Sequence, residues 1–310
     1  MASAETTDVH GDTRHLYLLG HHISHSLSPR FHNTIYTSLN LPWKFHLLDT
    51  PNPRDLLPRM HDPSFAGASI TMPHKVTFID HVDELTDAGK TIRAINTVFI
   101  RDDPTTGKRT YVGTNTDCIG VRDAILNNYP DTVRGKPAVV LGGGGACRAA
   151  VYAMLSLMGA SEVYLVNRDA GEVEDVIGDF RLAGLADRCV HVRTVEQAQG
   201  LPPATVIVGT VPDVAPLSED EIRARDIVAC FLRRSTTKGV LLDMCYHPRL
   251  ETALIVSARK EGWGVVYGNE AFFYQALAQV VLLTGRTLDE LPIETVRELI
   301  CPNTRETGAR

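Results

Sequence analysis

Four consecutive glycines, residues 142–145, separate a short apolar run with strand character, PAVVL, from a longer run with helical periodicity, ACRAAVYAMLSLMG. The second run predicts a helix that ends at Gly159, and the letters EVYLVN after it predict another buried strand. A strand, a glycine turn, a helix and a second strand in this order form a βαβ unit with parallel strands. This feature restricts the second half of the chain to an α/β fold.

The same turn has the composition of a phosphate-binding loop. Backbone N–H groups at the start of a helix can approach a pyrophosphate where no Cβ intervenes, and the helix dipole favours the negative charge. We therefore expect residues 142–145 to bind a dinucleotide, with a plain strand-to-helix turn as the alternative. Cys147 replaces the last glycine of the common GxGxxG fingerprint, so the helix and strand pack less closely than is usual.

The residues after the second strand, Asn167, Arg168 and Asp169, lie where such folds read the adenosine ribose. A carboxylate there accepts hydrogen bonds from the ribose hydroxyls, whereas a basic residue accommodates a 2′-phosphate. Asp169 and Glu172 favour NAD and Arg168 favours NADP, so we expect NAD and leave NADP open. A simpler role for Asp169 is to cap the next helix, which is compatible with either cofactor.

Strand-like runs also alternate with helix-like runs in the first half, where INTVFIRDDPTTGKRTYVGT predicts a hairpin over 95–114. Further strands are predicted in VHVRTV, ATVIVGT and GVLLDMCY, and a long helix in EAFFYQALAQVVLLTG. We predict two α/β domains. Residues 15–118 form a mixed, mostly parallel substrate-binding domain, which helices in 270–300 complete, and residues 119–269 form a doubly wound, Rossmann-type NAD(P)-binding domain.

Composition excludes several classes of protein. The 310 residues carry a net charge of −6 without a block of Lys or Arg, which argues against a nucleic-acid-binding or membrane-surface protein. No apolar run reaches the length of a membrane span, and the N-terminus lacks a signal-peptide pattern. We expect a soluble, cytoplasmic monomer or homodimer that binds a small molecule, with fraying at about 1–14 and 301–310.

Cysteine and histidine patterns indicate neither disulfides nor a metal site. The six cysteines contain no CxxC pair and are too sparse for a disulfide framework, so we expect buried free thiols. His21, His22 and His25 are close in sequence, but no carboxylate or cysteine at ligand spacing completes a zinc or iron site. We therefore expect no metal.

Three polar motifs follow predicted strands of the first domain, where α/β sheets place their ligand sites. SLSP at 26–29 offers two hydroxyls, although such a loop is more often a helix N-cap followed by Pro. SITMPHK at 69–75 presents Lys75, and GTNTD at 113–117 presents Asp117 at the start of a helix. Taken separately, Lys75 is interpreted as a solvated charge and Asp117, like Thr116, as a helix cap.

Together these motifs resemble the shikimate/quinate dehydrogenase family, from about residue 16 to residue 285. The motifs that carry the resemblance are, in family order, SLSP, TMPHK, INT, GTNTD, GGGGACRA, NR, DMCYHP and the helix that contains Gln275. The four-glycine run, TNTDCIGVRDA and MCYHP are most similar to fungal-type quinate/shikimate dehydrogenases. The resemblance implies oxidation of quinate to 3-dehydroquinate, of shikimate to 3-dehydroshikimate, or both, with NAD or NADP as hydride acceptor.

The resemblance also implies residue roles. Lys75 is the general base that takes the hydroxyl proton as hydride passes to the nicotinamide, and Asp117 holds its amine in place. The candidate substrate-binding residues are Ser26, Ser28 and Tyr246 around the carboxylate, and Thr71, Asn96 and Gln275 at the ring hydroxyls. The candidate cofactor-binding residues are Gly142, Gly143, Gly144, Gly145, Ala146, Asn167, Arg168, Asp169 and Gly268.

Several positions depart from the family pattern and bear on specificity. Ser69 stands where the family often has Asn, and residues 270–272 replace a usual Gly-x-x-Met-Leu segment. Asp169 and Glu172 stand where NADP-dependent members carry a hydroxyl and a basic residue, which agrees with NAD. We expect NAD and quinate. The alternatives are an NADP-dependent shikimate dehydrogenase of aromatic biosynthesis, a non-catalytic quinate sensor, and an enzyme for another hydroxy or amino acid.

Overall fold

The computed structural model describes residues 13–235 and 237–302, so the predicted fraying of both termini falls mostly outside the described residues. Within these ranges the chain forms two six-stranded sheets. The strands are β1 (Arg14–Gly20), β2 (Trp43–Asp49), β3 (Phe65–Ile70), β4 (Glu84–Leu85), β5 (Thr97–Asp102), β6 (Arg109–Thr114), β7 (Ala138–Leu141), β8 (Val163–Val166), β9 (Cys189–His191), β10 (Val206–Gly209), β11 (Val240–Asp243) and β12 (Gly264–Tyr267).

Helices connect these strands and cover the sheets. The α-helices are α1 (Ser28–Ser38), α2 (Leu57–Met60), α3 (Asp87–Ile92), α4 (Asp117–Asn128), α5 (Gly145–Tyr152), α6 (Ala170–Arg181), α7 (Val195–Gly200), α8 (Glu219–Arg234), α9 (Ala253–Lys260), α10 (Gly268–Thr284) and α11 (Ile293–Ile300). Short 3₁₀ segments lie at Pro53–Leu56, Thr77–His81, Ala186–Arg188 and Leu288–Glu290, and a π-helical segment at Ala153–Leu157. Among the described residues, no helix is both long and apolar enough to cross a bilayer.

The first sheet has the strand order β2-β1-β3-β5-β6-β4. Strand β1 pairs in parallel with β2 and β3, and β4 pairs in parallel with β6. Strand β5 runs antiparallel to both β3 and β6. The β5–β6 pair confirms the predicted hairpin, and the sheet is mixed and mostly parallel, as expected.

The second sheet has the order β12-β11-β10-β7-β8-β9, and all its neighbours pair in parallel. The chain leaves β7 first to one side and then to the other, which is the doubly wound order of a Rossmann-type sheet. Its central strands are buried along their whole length because helices cover both faces. The predicted α/β fold class is confirmed.

Two predicted elements, the strand in VHVRTV and the helix after the glycines, end earlier than the sequence pattern suggested. The run VHVRTV does not continue as a strand beyond His191, because the Thr194 side chain accepts a hydrogen bond from Gln197 N and starts α7. The helix after the glycines is regular only to Tyr152 and continues as the π-helical segment. Gly159 then stops it with a left-handed φ of +71°.

Helix α10 connects the end of the second sheet to the core of the first. It follows β12 without a loop, yet its buried Phe273 belongs to the same apolar cluster as Leu16 and Phe31 of the first half. Helix α10 also packs along α4. Side chains on α10 therefore lie beside residues from both halves. The six cysteines are free, four of them buried and two half-buried, which agrees with the expected free thiols.

Candidate active site

A cleft of about 370 Å³ lies between the two sheets, at the carboxyl ends of β3, β10 and β11. Open α/β sheets bind their ligands at this edge. The predicted site residues that line the cleft are Ser26, Ser28, Thr71, Lys75, Asn96, Asp117, Ala146, Tyr246, Gly268 and Gln275.

Lys75 and Asp117 form an ion pair inside this cleft. The Lys75 Nζ atom lies 2.5 Å from Asp117 Oδ2, and the two side chains are only 16% and 8% exposed. Lys75 lies in the turn after β3, and Asp117 is the first residue of α4. Because solvent reaches the pair poorly, its attraction is weakly screened and the amine is held in one position.

Neither Thr116 nor Asp117 uses its side chain to cap α4, so the simpler interpretation of both residues is wrong. Thr116 occupies the N-cap position but makes no side-chain capping bond there. Its Oγ1 instead accepts from Asn96 Nδ2 at 3.0 Å and donates to Gln275 Oε1 at 3.1 Å. The Asp117 carboxylate faces the cleft.

Asn96 binds the second oxygen of that carboxylate. Its Nδ2 donates to Asp117 Oδ1 at 2.9 Å and lies 3.2 Å from Gln275 Oε1, while its Oδ1 accepts from Thr116 N at 2.8 Å. Both oxygens of Asp117 thus have donors, one from an amide and one from Lys75. Bonds to an ionised group are the stronger kind, so this arrangement fixes the plane of the carboxylate.

Ser26, Ser28 and Tyr246 lie together at another wall of the cleft. The two hydroxyl oxygens are 3.3 Å apart, and Ser28 N donates to Ser26 Oγ at 3.2 Å. Tyr246 lines the same cleft, and burial raises the pKa of its phenol to about 12. Helix α1 begins at Ser28, but Leu27 is its N-cap residue and no side chain caps it. Three hydroxyls therefore converge here, and they suit an anionic or polyol group.

The glycine turn has the shape of a phosphate cradle. Gly142 has a φ of +134°, and a Cβ there would lie 2.2 Å from Thr210 Oγ1. A Cβ on Gly145 would lie 3.0 Å from the Cβ of Lys75, so the start of α5 touches the lysine. Around Gly144 no atom lies within 4 Å of the added Cβ, which leaves the backbone open. The open backbone at Gly144 fits a dinucleotide pyrophosphate, because a side chain there would fill the space that it needs.

The residues predicted to contact the adenosine end of the cofactor do not line the cleft; they are Asn167, Arg168 and Asp169. Asp169 accepts from Gly171 N at 2.8 Å and from Glu172 N at 3.3 Å, so it caps α6. Arg168 pairs with Glu221 on α8, and the Asn167 amide donates to Glu172 at 2.6 Å. Asp169 therefore performs the simpler of its two predicted roles. Arg168 faces α8 and is held there by an acidic partner.

Sequence reasoning missed Gln279 as a cleft residue and assigned no contact to Ser69, which it had singled out only as a departure from the family pattern. Gln279 and Ser69 line its floor and bond to each other at 3.0 Å. The rings of His25 and His247 stack across the cleft with centroids 4.0 Å apart, and burial together with His247 lowers the pKa of His25. Gln279 lies one helical turn after Gln275, a spacing that could have been read from the sequence. Among the described residues, no group of three or more metal-ligand side chains is suited to hold an ion.

A doubly wound sheet, an open glycine turn and a lysine–carboxylate pair beside that turn define a two-domain α/β protein of the dinucleotide-binding class. A family model of the shikimate dehydrogenase substrate binding domain matches residues 18–98. The chain is 37% identical over 310 residues to a quinate dehydrogenase of Emericella nidulans, and the match covers 94% of each chain. The chain belongs to the shikimate/quinate dehydrogenase family.

Solved structures agree with this fold. A shikimate 5-dehydrogenase from Thermus thermophilus, in complex with NADP(H) and shikimate, is 28% identical with a TM-score of 0.67, over 88% of this chain and 94% of that one. A quinate dehydrogenase from Corynebacterium glutamicum, in complex with NAD, is 23% identical with a TM-score of 0.76, over 93% and 98% of the two chains. The second similarity is one of fold alone.

Proposed function

We propose that the protein is an NAD(P)-dependent quinate/shikimate dehydrogenase that oxidises quinate to 3-dehydroquinate, shikimate to 3-dehydroshikimate, or both. NAD and quinate are the favoured pair. The observation that carries the proposal is the contact between the two halves of the site, because the side chain of Lys75, whose amine is paired with Asp117, passes directly beside Gly145. A base in this position lies next to the place where a glycine-bound dinucleotide brings its nicotinamide.

Lys75 is the proposed general base. Oxidation of a secondary alcohol breaks one O–H and one C–H bond; the deprotonated amine of Lys75 takes the proton, and a bound nicotinamide would supply the hydride acceptor. Asp117 holds the resulting ammonium, and Asn96 keeps the carboxylate in plane. In the reverse direction the ammonium of Lys75 polarises and protonates the ketone.

The remaining cleft residues bind the substrate in this proposal. Ser26, Ser28 and Tyr246 bind the carboxylate with their hydroxyls. The groups proposed for the ring hydroxyls are on Thr71, Asn96 and Gln275. A site built from hydrogen-bonding side chains of this kind discriminates strongly against analogues that lack a hydroxyl.

The cofactor is proposed to bind along the glycine turn, with Gly142, Gly143, Gly144, Gly145 and Ala146 at the pyrophosphate, Gly268 at the nicotinamide end, and Asn167, Arg168 and Asp169 at the adenosine end. Asp169 and Glu172 place negative charge at the adenosine end, and Glu221 engages Arg168, the basic residue of the segment 167–169. A 2′-phosphate would meet this acidic surface, which supports NAD over NADP.

We further propose that residues 15–118, completed by 270–300, form the substrate-binding domain and residues 119–269 the NAD(P)-binding domain. The separate sheets of the two halves, and the packing of α10 and α11 on the first core, support this division. The protein is proposed to act as a cytoplasmic monomer or homodimer on small molecules.

Initial rates with quinate and shikimate, each with NAD and NADP, test the function. We expect the highest kcat/KM with quinate and NAD. A hundredfold preference for NADP, with shikimate as the better substrate, would instead support the biosynthetic enzyme, for which the exposed guanidinium of Arg168 is the favouring observation. Binding of quinate without reduction of either cofactor would identify a sensor.

A further inference from the structure

A chain of buried polar side chains runs from the core of the first domain to the catalytic pair. It begins at Tyr36 and His32 on α1, passes through Gln279 on α10, and continues through Thr97 to Asn96. All five residues are at most 2% exposed. Burying a polar group is costly unless it is hydrogen-bonded. We therefore ask what this series of hydrogen-bonded side chains does for the site.

The amide of Gln279 is fixed in one orientation by its neighbours. Its Oε1 accepts from Ser69 Oγ at 3.0 Å and lies 3.3 Å from His32 Nε2. Burial lowers the pKa of His32 to about 3, so its ring is neutral and carries a single N–H. Because Gln279 Oε1 can only accept, His32 Nε2 carries the hydrogen that faces it, and Nδ1 is left to accept from the Tyr36 hydroxyl, 3.3 Å away.

With its oxygen occupied, Gln279 must use its NH2 group on the other side. Nε2 donates to Thr97 Oγ1 at 2.9 Å and to Asn96 O at 3.2 Å. Thr97 has thus accepted one hydrogen bond, and it donates its own hydrogen to Asn96 Oδ1 at 2.8 Å. In this hydrogen-bonded series, each side chain from Tyr36 to Thr97 donates to the next one nearer the cleft.

This direction decides which end of the Asn96 amide faces Asp117. Because Oδ1 accepts from Thr97 and from Thr116 N, the NH2 group is left to donate to Asp117 Oδ1 at 2.9 Å. The opposite orientation would place the amide oxygen against a carboxylate oxygen, which is repulsive. It would also leave Thr97 without its acceptor.

We propose that Gln279 is a positioning residue that acts through Thr97 to hold the Asn96 amide, and so the Asp117 carboxylate, in the orientation that serves Lys75. The inference rests on the proposed dehydrogenase function. Gln279 lines the floor of the cleft, but its amide atoms are all engaged by protein partners, so its role differs from that of the substrate-binding residues.

The test compares Thr97→Val, which keeps the shape of the side chain and removes the hydroxyl, with Thr97→Ser, which keeps the hydroxyl. We expect Thr97→Val to lower kcat about tenfold to hundredfold, the range for losing a bond that orients a charged group, with KM for quinate changed less than about threefold. Thr97→Ser should restore most of the lost kcat. An equal loss in both variants would overturn the proposal, since it would trace the effect to packing.

A double-mutant cycle with Gln279→Leu tests whether the two residues act on one path. If they do, Thr97→Val combined with Gln279→Leu should lose little more kcat than the worse single variant. Multiplied losses, or a Gln279→Leu effect confined to KM, would overturn the proposal by assigning independent roles or direct substrate contact. Thr97→Val alone decides the question if Gln279→Leu fails to fold.

Thr205→Val is the matched control. The Thr205 hydroxyl also donates to a protein oxygen, the carbonyl of Thr132 at 2.7 Å. Thr205 directly precedes β10, however, and so lies at the amino-terminal ends of the strands, opposite the cleft. We expect its kcat to equal that of the wild type. If the wild type itself turns over no substrate, the proposed function fails; if it turns over and Thr97→Val is unimpaired, only the positioning role fails.

Discussion

The substrate side and the cofactor side of the site are built on different physical principles. Lys75 and Asp117 are 16% and 8% exposed and lie in a closed set of hydrogen bonds, whereas Arg168 is 60% exposed and pairs with a residue of a distant helix. Buried polar contacts are strong and depend on geometry, while exposed charges are screened by salt and contribute through their balance. We therefore expect substitutions on the substrate side to act on turnover, and those at the adenosine end to act weakly and on cofactor choice.

The largest effect is expected from Lys75→Ala. Removal of a general base lowers turnover by roughly 10²- to 10⁴-fold, and the affinity for NAD should remain nearly unchanged because the amine is on the substrate side. Steady-state kinetics and NAD titration measure the two quantities. Lys90→Ala is the control, since Lys90 is 65% exposed and pairs with Asp87 on the surface. Unimpaired turnover in Lys75→Ala would remove this residue from the mechanism.

Gly142→Ala tests whether the cofactor side also depends on geometry at its glycine turn. Its φ of +134° disfavours any side chain, and the new Cβ would lie 2.2 Å from Thr210 Oγ1. A penalty of about 1–3 kcal/mol on the binding-competent shape of the turn corresponds to roughly fivefold to 150-fold weaker dinucleotide binding, measurable by calorimetry.

Gly178→Ala in α6 provides the control for that experiment. A Cβ at Gly178 meets nothing within 4 Å and lies inside a helix, so this variant should raise the free energy of unfolding by about 0.5–1 kcal/mol. Dinucleotide affinity should be unchanged. If both glycine variants bind the cofactor normally, the cradle is only a turn.

Asp243 separates the effect of burial from that of ion pairing. It is 3% exposed and accepts from the Thr252 hydroxyl at 2.7 Å, but within the described residues it forms no salt bridge, unlike Asp117. Burial raises the pKa of Asp243 from 3.8 to about 6. Between these values the folded state binds the proton that the unfolded state releases, so this group lowers the free energy of unfolding as the pH rises.

Asp243→Asn should remove that contribution, on the order of 1–3 kcal/mol across about pH 4 to 6. Urea unfolding of both proteins across this range measures the difference, which isolates the one carboxyl from all others. A difference that does not change with pH would mean that burial leaves the proton affinity of Asp243 unaltered.

Asp169→Asn is expected to give the smallest effect. Asparagine still accepts the α6 capping bonds through its Oδ1, whereas Asp169→Ala removes both the cap and the charge. If the charge reads the ribose, both variants should weaken NAD relative to NADP by about threefold to tenfold, as judged from the ratio of kcat/KM values. Should Asn leave the ratio unchanged, Asp169 is a cap only.

Local patterns predicted much of the fold because neighbouring residues determine it. The glycine turn between an apolar strand and helix and the hairpin around PTTG lie within a few residues of their own signals. The segment 192–195 could not be assigned in this way. Thr194 caps a helix only if Gln197 N is already placed to donate to its side chain, and the local sequence is equally compatible with a strand. The pairing of Lys75 with Asp117, 42 residues apart, was predicted only through the resemblance to the dehydrogenase family.

The parts of the site that sequence did not predict depend on partners distant in the chain. The orientation of Asn96 depends on Gln279, 183 residues away, and nothing near either residue indicates the contact. The pairing of Arg168 with Glu221 likewise requires knowing that α8 starts beside the end of β8. Such long-range pairs follow from the tertiary fold and not from local composition.

The near-contact between Gly145 and Lys75 has a consequence for evolution by recombination. An exchange of the nucleotide-binding half for that of another dehydrogenase would bring a foreign turn against Lys75, and any side chain at position 145 would put its Cβ 3.0 Å from the Lys75 Cβ, closer than most Cβ contacts. We therefore expect a chimera with glycine at this junction to outperform one with a larger residue, whatever cofactor its new half prefers.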